Sequence, residues 1–197
     1  MGTYTFTSAQ CMIEPWSLQK RVDKSSDIVE ARVISQEGRW DAQEHSIYTI
    51  HTLEVFKVFK GTVGIQTIKL VTEGGIVGSE MLKVSPCLEL AVGETGIFLL
   101  EENRVDLNSA GKMYRPSSSI QSFIQYDLVS VDAYDLQKTY TSISFDLYKD
   151  LAAATGSSYL EITPFDAENN NKKIKALSPP TISSFSTSTV TSGNSTE

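Results

Sequence analysis

Two histidines and two cysteines are the side chains of this 197-residue sequence best suited to chemistry, and their spacing limits what they can do. His45 and His51 lie on a stretch that reads as strand. At ~3.3 Å per residue an unbroken strand would set them about 20 Å apart on one side, too far to share a metal ion. Catalysis by Cys11 or Cys87 would need a thiolate beside a histidine, and a paired cysteine is inert. No HExxH, CxxC, GxSxG or phosphate-loop pattern occurs. Glu101 with Glu102, and Asp132 with Asp135, have the residue types of calcium or glycosidase sites but not a calcium-loop spacing, and charged turns account for them. Gly74, Gly75 and Gly78 lack the lysine of a phosphate loop and read as turn residues. Trp16, Trp40 and Tyr114 are able to form an exposed aromatic platform for a sugar or peptide. Trp40 leads this group, because it sits in a polar stretch between Arg39 and Asp41. No metal and no cofactor is expected.

The bulk properties narrow the partners. A formal charge of −7 disfavours a nucleic-acid backbone, which needs a clustered basic surface. No apolar run approaches the ~18 residues that would span a bilayer. Residues 3–10, with the small residues Ser8 and Ala9 shortly before Cys11, resemble the end of a signal peptide behind an added Met1-Gly2; an edge strand is the alternative. Two cysteines in an exported protein usually pair, whereas in a cytosolic one they stay free and buried, so the redox state turns on export.

The elements that would position these residues are mostly strands. Ser17 is placed to cap a short helix with Leu18 and Val22 on one face. Asp27 to Ile34 alternates, with Val29, Ala31 and Val33 on one side and Glu30 and Arg32 on the other, as in a half-buried strand. Residues 36–44 read as a polar turn. From Ile47 to Phe59 the alternation changes phase: Tyr48 and Ile50 share one face, Leu53 and Val55 the other, and Phe56 and Val58 return to the first. A long strand that swaps faces is bent and bulged, as small barrels require. Ile65 to Thr72, Leu88 to Val92 and the wholly apolar Ile97 to Leu100 add strands. Gly74, Gly75 and Gly78 mark a loop or short hairpin. Met113 to Arg115 adds a further short strand. Ile120 to Val131 and Ala133 to Tyr140 read as a hairpin or extended arm. Ser142 opens a helix with Ile143, Leu147 and Leu151 on one stripe, and Gly156 stands where a C-terminal cap belongs.

The expected fold is therefore mainly β (α+β): a small OB-like five-stranded barrel with short helices, then a C-terminal β-arm and helix extension. The divisions are residues 1–10 as signal remnant or tag, 11–103 as barrel, 104–166 as extension packed on it, and 167–180 as linker. Residues 181–197 would begin an incomplete further domain.

Two resemblances bear on function. The order Cys11, short helix, SDIVEARV over residues 26–33, YTIHTLEVFKVFKG over 48–61, Cys87 and LAVGETGIFLL over 90–100 is similar to the netrin-like barrel of the tissue inhibitors of metalloproteinases, of which bacterial secreted proteins carry a variant. The match covers residues 11–101, and the order of its short motifs carries it. Residues 180–193, PTISSFSTSTVTSG, resemble the opening strand of Ig-like IPT/TIG domains, with Thr187 replacing the usual proline. In the inhibitor family the N-terminal cysteine chelates the target's zinc beside a second cysteine two residues on; position 13 here is Ile, which removes that anchor. A Cys11–Cys87 bridge would close a loop of 77 residues and stabilise the fold by about 4–5 kcal/mol on the loop-entropy account.

These readings point to a non-catalytic extracellular adhesion, spacer or binding module, secreted or at the cell surface and continuous with further domains. Its partner would be an extracellular protein or glycan, met at Trp40, Arg39, Trp16 and Tyr114. The alternatives are an accessory domain of a secreted hydrolase or metalloprotease, and a metalloprotease inhibitor acting through the Cys11 edge.

Overall fold

In the computed structural model, residues 13–109 and 111–167 are described. The signal-like residues 1–10, Cys11 and the IPT/TIG-like segment lie outside them. Helix α1 (Leu18–Lys24) begins as the sequence predicts, with Ser17 Oγ accepting from Lys20 N at 3.3 Å. Strand β1 (Asp27–Trp40) follows, then β2 (Ile47–Lys60), β3 (Thr67–Glu73), the hairpin β4 (Gly75–Val77) and β5 (Glu80–Leu82), and β6 (Thr95–Glu102). After β7 (Met113–Pro116) and a 3-10 turn over Ser119–Ser122 come β8 (Phe123–Asp127), β9 (Asp132–Tyr134) and β10 (Thr139–Tyr140). A π-turn over Ile143–Leu147 leads into α2 (Tyr148–Thr155), and β11 (Leu160–Glu161) comes last.

Five strands form the expected ring. Their order is β1-β2-β3-β7-β6, and β6 closes back on β1. All contacts in the ring are antiparallel except β3 with β7. The fifth strand is thus Met113–Pro116, which the patterning assigns to the extension, while residues 88–92 form no strand. Leu88 and Leu90 are instead buried as a loop against the barrel core.

The phase change in β2 is real, and its cause is local. Glu30 pairs with Lys57 and Ala31 with Val55, leaving Phe56 as an extra residue; a second shift skips Phe59. These bulges keep Leu53, Val55 and Val58 together inside the barrel and put Phe56 and Phe59 outside. Val58 therefore stays with Leu53 and Val55 rather than following Phe56. The turn expected over 36–44 is shorter: β1 runs on to Trp40, and residues 41–46 make the connection.

Strand β6 is buried on both faces, as its composition requires. Phe98 and Leu100 face the barrel interior with Val29, Ala31, Leu53 and Leu70. Ile97 and Leu99 face outward into a second core with Val22 of α1, Ile124, Tyr140, Ile143, Leu147 and Leu151. Each such buried aliphatic side chain contributes ~1.5–3 kcal/mol. Strand β8 pairs with β6, so the expected arm is an outward continuation of the main sheet, β6-β8-β9-β10. Helix α2 ends at Gly156, in the left-handed conformation expected of a C-terminal cap. Ala167 is 3% exposed in the second core, one residue beyond the expected domain end.

Candidate functional site

The foremost expected pair sits on a rim. Arg39 and Trp40 end β1 and are half-buried, and Trp40 pairs with Ile47 across the connection. Asp41 fixes that loop, accepting from His45 N at 2.7 Å and Ser46 N at 3.4 Å. Arg39 reaches Glu37 at 2.8 Å, an ion pair open to solvent and so worth little, ~0–1 kcal/mol. Beside them is a hollow of about 280 Å³, also lined by Val77, Leu107 and Asn108.

The other two aromatic residues lie elsewhere. Trp16 leads into α1, with its backbone N–H donating to Gln121 Oε1 at 2.8 Å and its carbonyl accepting from Gln137 Nε2 at 2.6 Å. The Lys20 ammonium lies 4.2 Å from the centre of its ring. Tyr114 is only 5% exposed and belongs to the barrel interior, because β7 is a ring strand rather than part of a surface arm. Among the four expected surface residues, the structure brings Arg39 and Trp40 together.

Cys87 is a free thiol, half-buried, with Sγ donating to the Glu73 carbonyl at 3.2 Å. Burial pushes its pKa up, away from thiolate character. His45 stands in the 41–46 loop rather than on a strand with His51. Of the acidic residues, Glu101 pairs with Arg115 at 2.9 Å, and Asp135 with Arg21 at 2.6 Å in a contact almost closed to solvent. Gly74 and Gly75 lead into the β4–β5 hairpin.

Two polar groupings went unanticipated. The first is a buried network on the outer face of β1 and β2. The Glu30 carboxylate, fully buried, accepts from Lys57 Nζ at 2.6 Å through Oε2. Its Oε1 accepts from Tyr126 at 2.9 Å and from the Tyr148 hydroxyl. Lys57 also donates to the Phe165 carbonyl at 2.7 Å, with the rings of Tyr148, Tyr159 and Phe165 centred 5.4–5.6 Å away. Burial first, and the Glu30 charge second, push both phenols well above the ordinary tyrosine range. The Glu30–Lys57 pair lies within the ring, and its bonds to Tyr126, Tyr148 and the Phe165 carbonyl cross the barrel–extension boundary, so the network fastens β8, α2 and the 159–167 segment to the ring. The sequence signal was faint: Glu30 and Lys57 occupy the non-core face of their strands, where solvent is the usual neighbour.

The second grouping is the mouth of the barrel. His51 and Thr72 occupy the inward face of β2 and β3, beyond the core layer of Leu53 and Leu70. His51 Nε2 lies 3.0 Å from Thr72 Oγ1, and its buried Nδ1 has no hydrogen-bond partner. Burial holds the imidazole well below its ordinary value, at about 4, so it is neutral at pH 7. The hairpin β4–β5 lies over this end, tied down where Thr49 donates to the Gly74 carbonyl at 2.8 Å. Between hairpin and barrel lies a cleft of about 420 Å³ that His51 and Thr72 help to line.

No family model, no curated protein and no solved structure matches this chain. No helix of the described residues is long and apolar enough to cross a membrane.

Proposed function

We propose that this chain is a non-catalytic binding or adhesion module of a secreted or surface protein, continuous with further domains, that meets an extracellular protein or glycan at the Arg39–Trp40 rim. The observation carrying the reading is that rim: a half-buried tryptophan and an arginine beside a hollow of about 280 Å³. Tryptophan and arginine are the side chains most enriched among binding hot spots. The groups able to move protons point the same way. His51 is too weakly basic to serve as a general base near neutral pH, and the Cys87 thiol is raised rather than activated. Four of the five ring strands begin within residues 11–101, in keeping with the netrin-like resemblance, and the fifth, Met113–Pro116, lies beyond it; export and a Cys11–Cys87 bridge rest on that resemblance alone.

Binding of the whole chain to arrayed extracellular-matrix proteins and glycans tests the reading. Saturable binding is expected, weakened at least tenfold by Trp40→Ala and less by Arg39→Ala, with thermal stability nearly unchanged. If no arrayed molecule is retained, or if both variants bind like the parent, the rim has no such role.

A further inference from the structure

The barrel mouth carries an inference that is independent of the rim. Gly38 lines both hollows, but the hairpin β4–β5 stands between them, with Ile76 facing one and Val77 the other. The mouth combines a buried polar group lacking a partner with apolar surface left open around it. Ile76 and Met81 are cross-strand partners on the hairpin, and both line the cleft. They are 61% and 70% exposed, a high value for two adjacent large apolar side chains. Leu88 and Leu90 line the same cleft as part of the barrel core. The mouths of β-barrels are a common place for small-molecule sites, in which apolar walls enclose a few fixed polar groups.

The hydrogen-bond count defines what the polar group is. Thr72 is 5% exposed, and its hydroxyl has one partner, His51 Nε2. If Nε2 carried the ring hydrogen, Thr72 would have to accept it. Its own hydroxyl hydrogen and the Nδ1 lone pair would then both be buried without partners. If Thr72 donates to Nε2, the hydrogen sits on Nδ1 and only that N–H is left over. Each unpaired buried group costs ~1–3 kcal/mol, so the second arrangement wins. His51, which lines the cleft, thus carries a buried N–H donor without an acceptor.

Charge decides the rest. The imidazole is neutral, Lys83 of the lining is paired with Glu89 at 3.3 Å, and Glu73 adds a negative charge at the edge. With Glu73 and Glu89 against Lys83 the lining is net negative, which disfavours an anion. We infer that the barrel mouth is a binding site for a small neutral molecule with an apolar body and a carbonyl oxygen, the body lying between Ile76 and Met81 on one side and Leu88 and Leu90 on the other, the oxygen accepting from His51 Nδ1–H.

Acetophenone is a suitable probe, with ethylbenzene as its match in shape without the oxygen. Long-range nitrogen–proton spectra of the whole chain at pH 7 are expected to show the ring hydrogen of His51 on Nδ1. Millimolar acetophenone should shift that signal and the methyl groups of Leu88 and Leu90 saturably. Ethylbenzene and the variant His51→Phe should each bind about tenfold more weakly, the worth of one hydrogen bond. The double variant Ile76→Ser, Met81→Ser alters exposed positions only, so it keeps the fold while weakening acetophenone binding. The hydrogen found on Nε2, equal affinity for the two probes, or no saturable shift in the folded parent would each overturn the inference. The rim variant Trp40→Ala should leave acetophenone binding unchanged, which separates this site from the proposed one.

Discussion

Glu30 collects three side-chain donors on two oxygens in a place without solvent, and among the described residues its counter-charge comes from Lys57. Removing a single partner from such a pair strands a buried charge, which costs more than the pair contributes. Lys57→Met should therefore destabilise the chain by about 3–5 kcal/mol, read as a lower denaturant midpoint. Tyr148→Phe removes one hydrogen bond to a charged group and should lose about 1.5–3 kcal/mol. Equal, small effects from both would show that the carboxylate is reached by water. His51 gives a pH signature of its own. Its folded-state pKa of about 4 lies below the ordinary histidine value of 6.5, so as pH falls the unfolded chain takes up a proton first. The stabilisation is complete above pH ~6.5 and is lost progressively as pH drops through about 4, roughly 3 kcal/mol in all. His51→Phe should lack that component, so the gap between the two stability–pH curves should change over this window. Neither role was legible from the residues. Tyr126 and Tyr148 reach Glu30 across 96 and 118 positions, and nothing local in Asp27–Ile34 signals that an extension will cover its polar face.

At the level of elements, two glycines set how close neighbouring strands come, and they should respond differently to the same change. A Cβ on Gly96 would lie 2.1 Å from the Ile124 carbonyl oxygen, where β8 joins β6. A Cβ on Gly38 would lie 1.9 Å from the Ile76 carbonyl oxygen, where β4 crosses β1. Strand β8 carries Ile124 and Tyr126 of the second core, whereas the hairpin β4–β5 is a two-stranded sheet of its own. Gly96→Ala should therefore destabilise the whole chain by about 1–3 kcal/mol. Gly38→Ala should displace the hairpin, seen as faster amide exchange over residues 75–82, with a smaller change in global stability. Equal losses would mean that the hairpin unfolds with the ring. The same elements show what pattern does and does not reveal. Alternation located β1 and β3, wholly apolar composition located β6, the helix stripe located α2, and the phase break in β2 announced its bulges. Strand β7 pairs with β6, its neighbour in sequence, but the parallel contact with β3 that makes it a ring strand joins segments about 40 residues apart and leaves no local signal.

For the molecule as a whole, the open question is what holds the leading segment to the barrel, and the geometry around the 3-10 turn Ser119–Ser122 frames it. Gln121 grips that segment twice, donating to the Glu14 carbonyl at 3.0 Å and accepting from Trp16 N at 2.8 Å. Ser119, two residues earlier on the same turn, donates to the Pro86 carbonyl at 3.0 Å, immediately before Cys87. One short turn thus holds both Glu14 and the neighbour of the free thiol. Cys11 lies outside the described residues, three positions before Glu14, and three residues reach at most ~10–11 Å. The proposed bridge would fasten the same two segments that this turn holds, the one at Glu14 and the one at Pro86. Non-reducing peptide mapping of the chain made in an oxidising compartment should recover residues 11 and 87 in one linked fragment. Reduction and Cys87→Ser should lower thermal stability alike, by up to about 4–5 kcal/mol on the loop-entropy account. Full alkylation of both thiols in the native, unreduced protein would remove the covalent clasp, leaving the Gln121 contacts and the packing of Val22 to hold α1 in place.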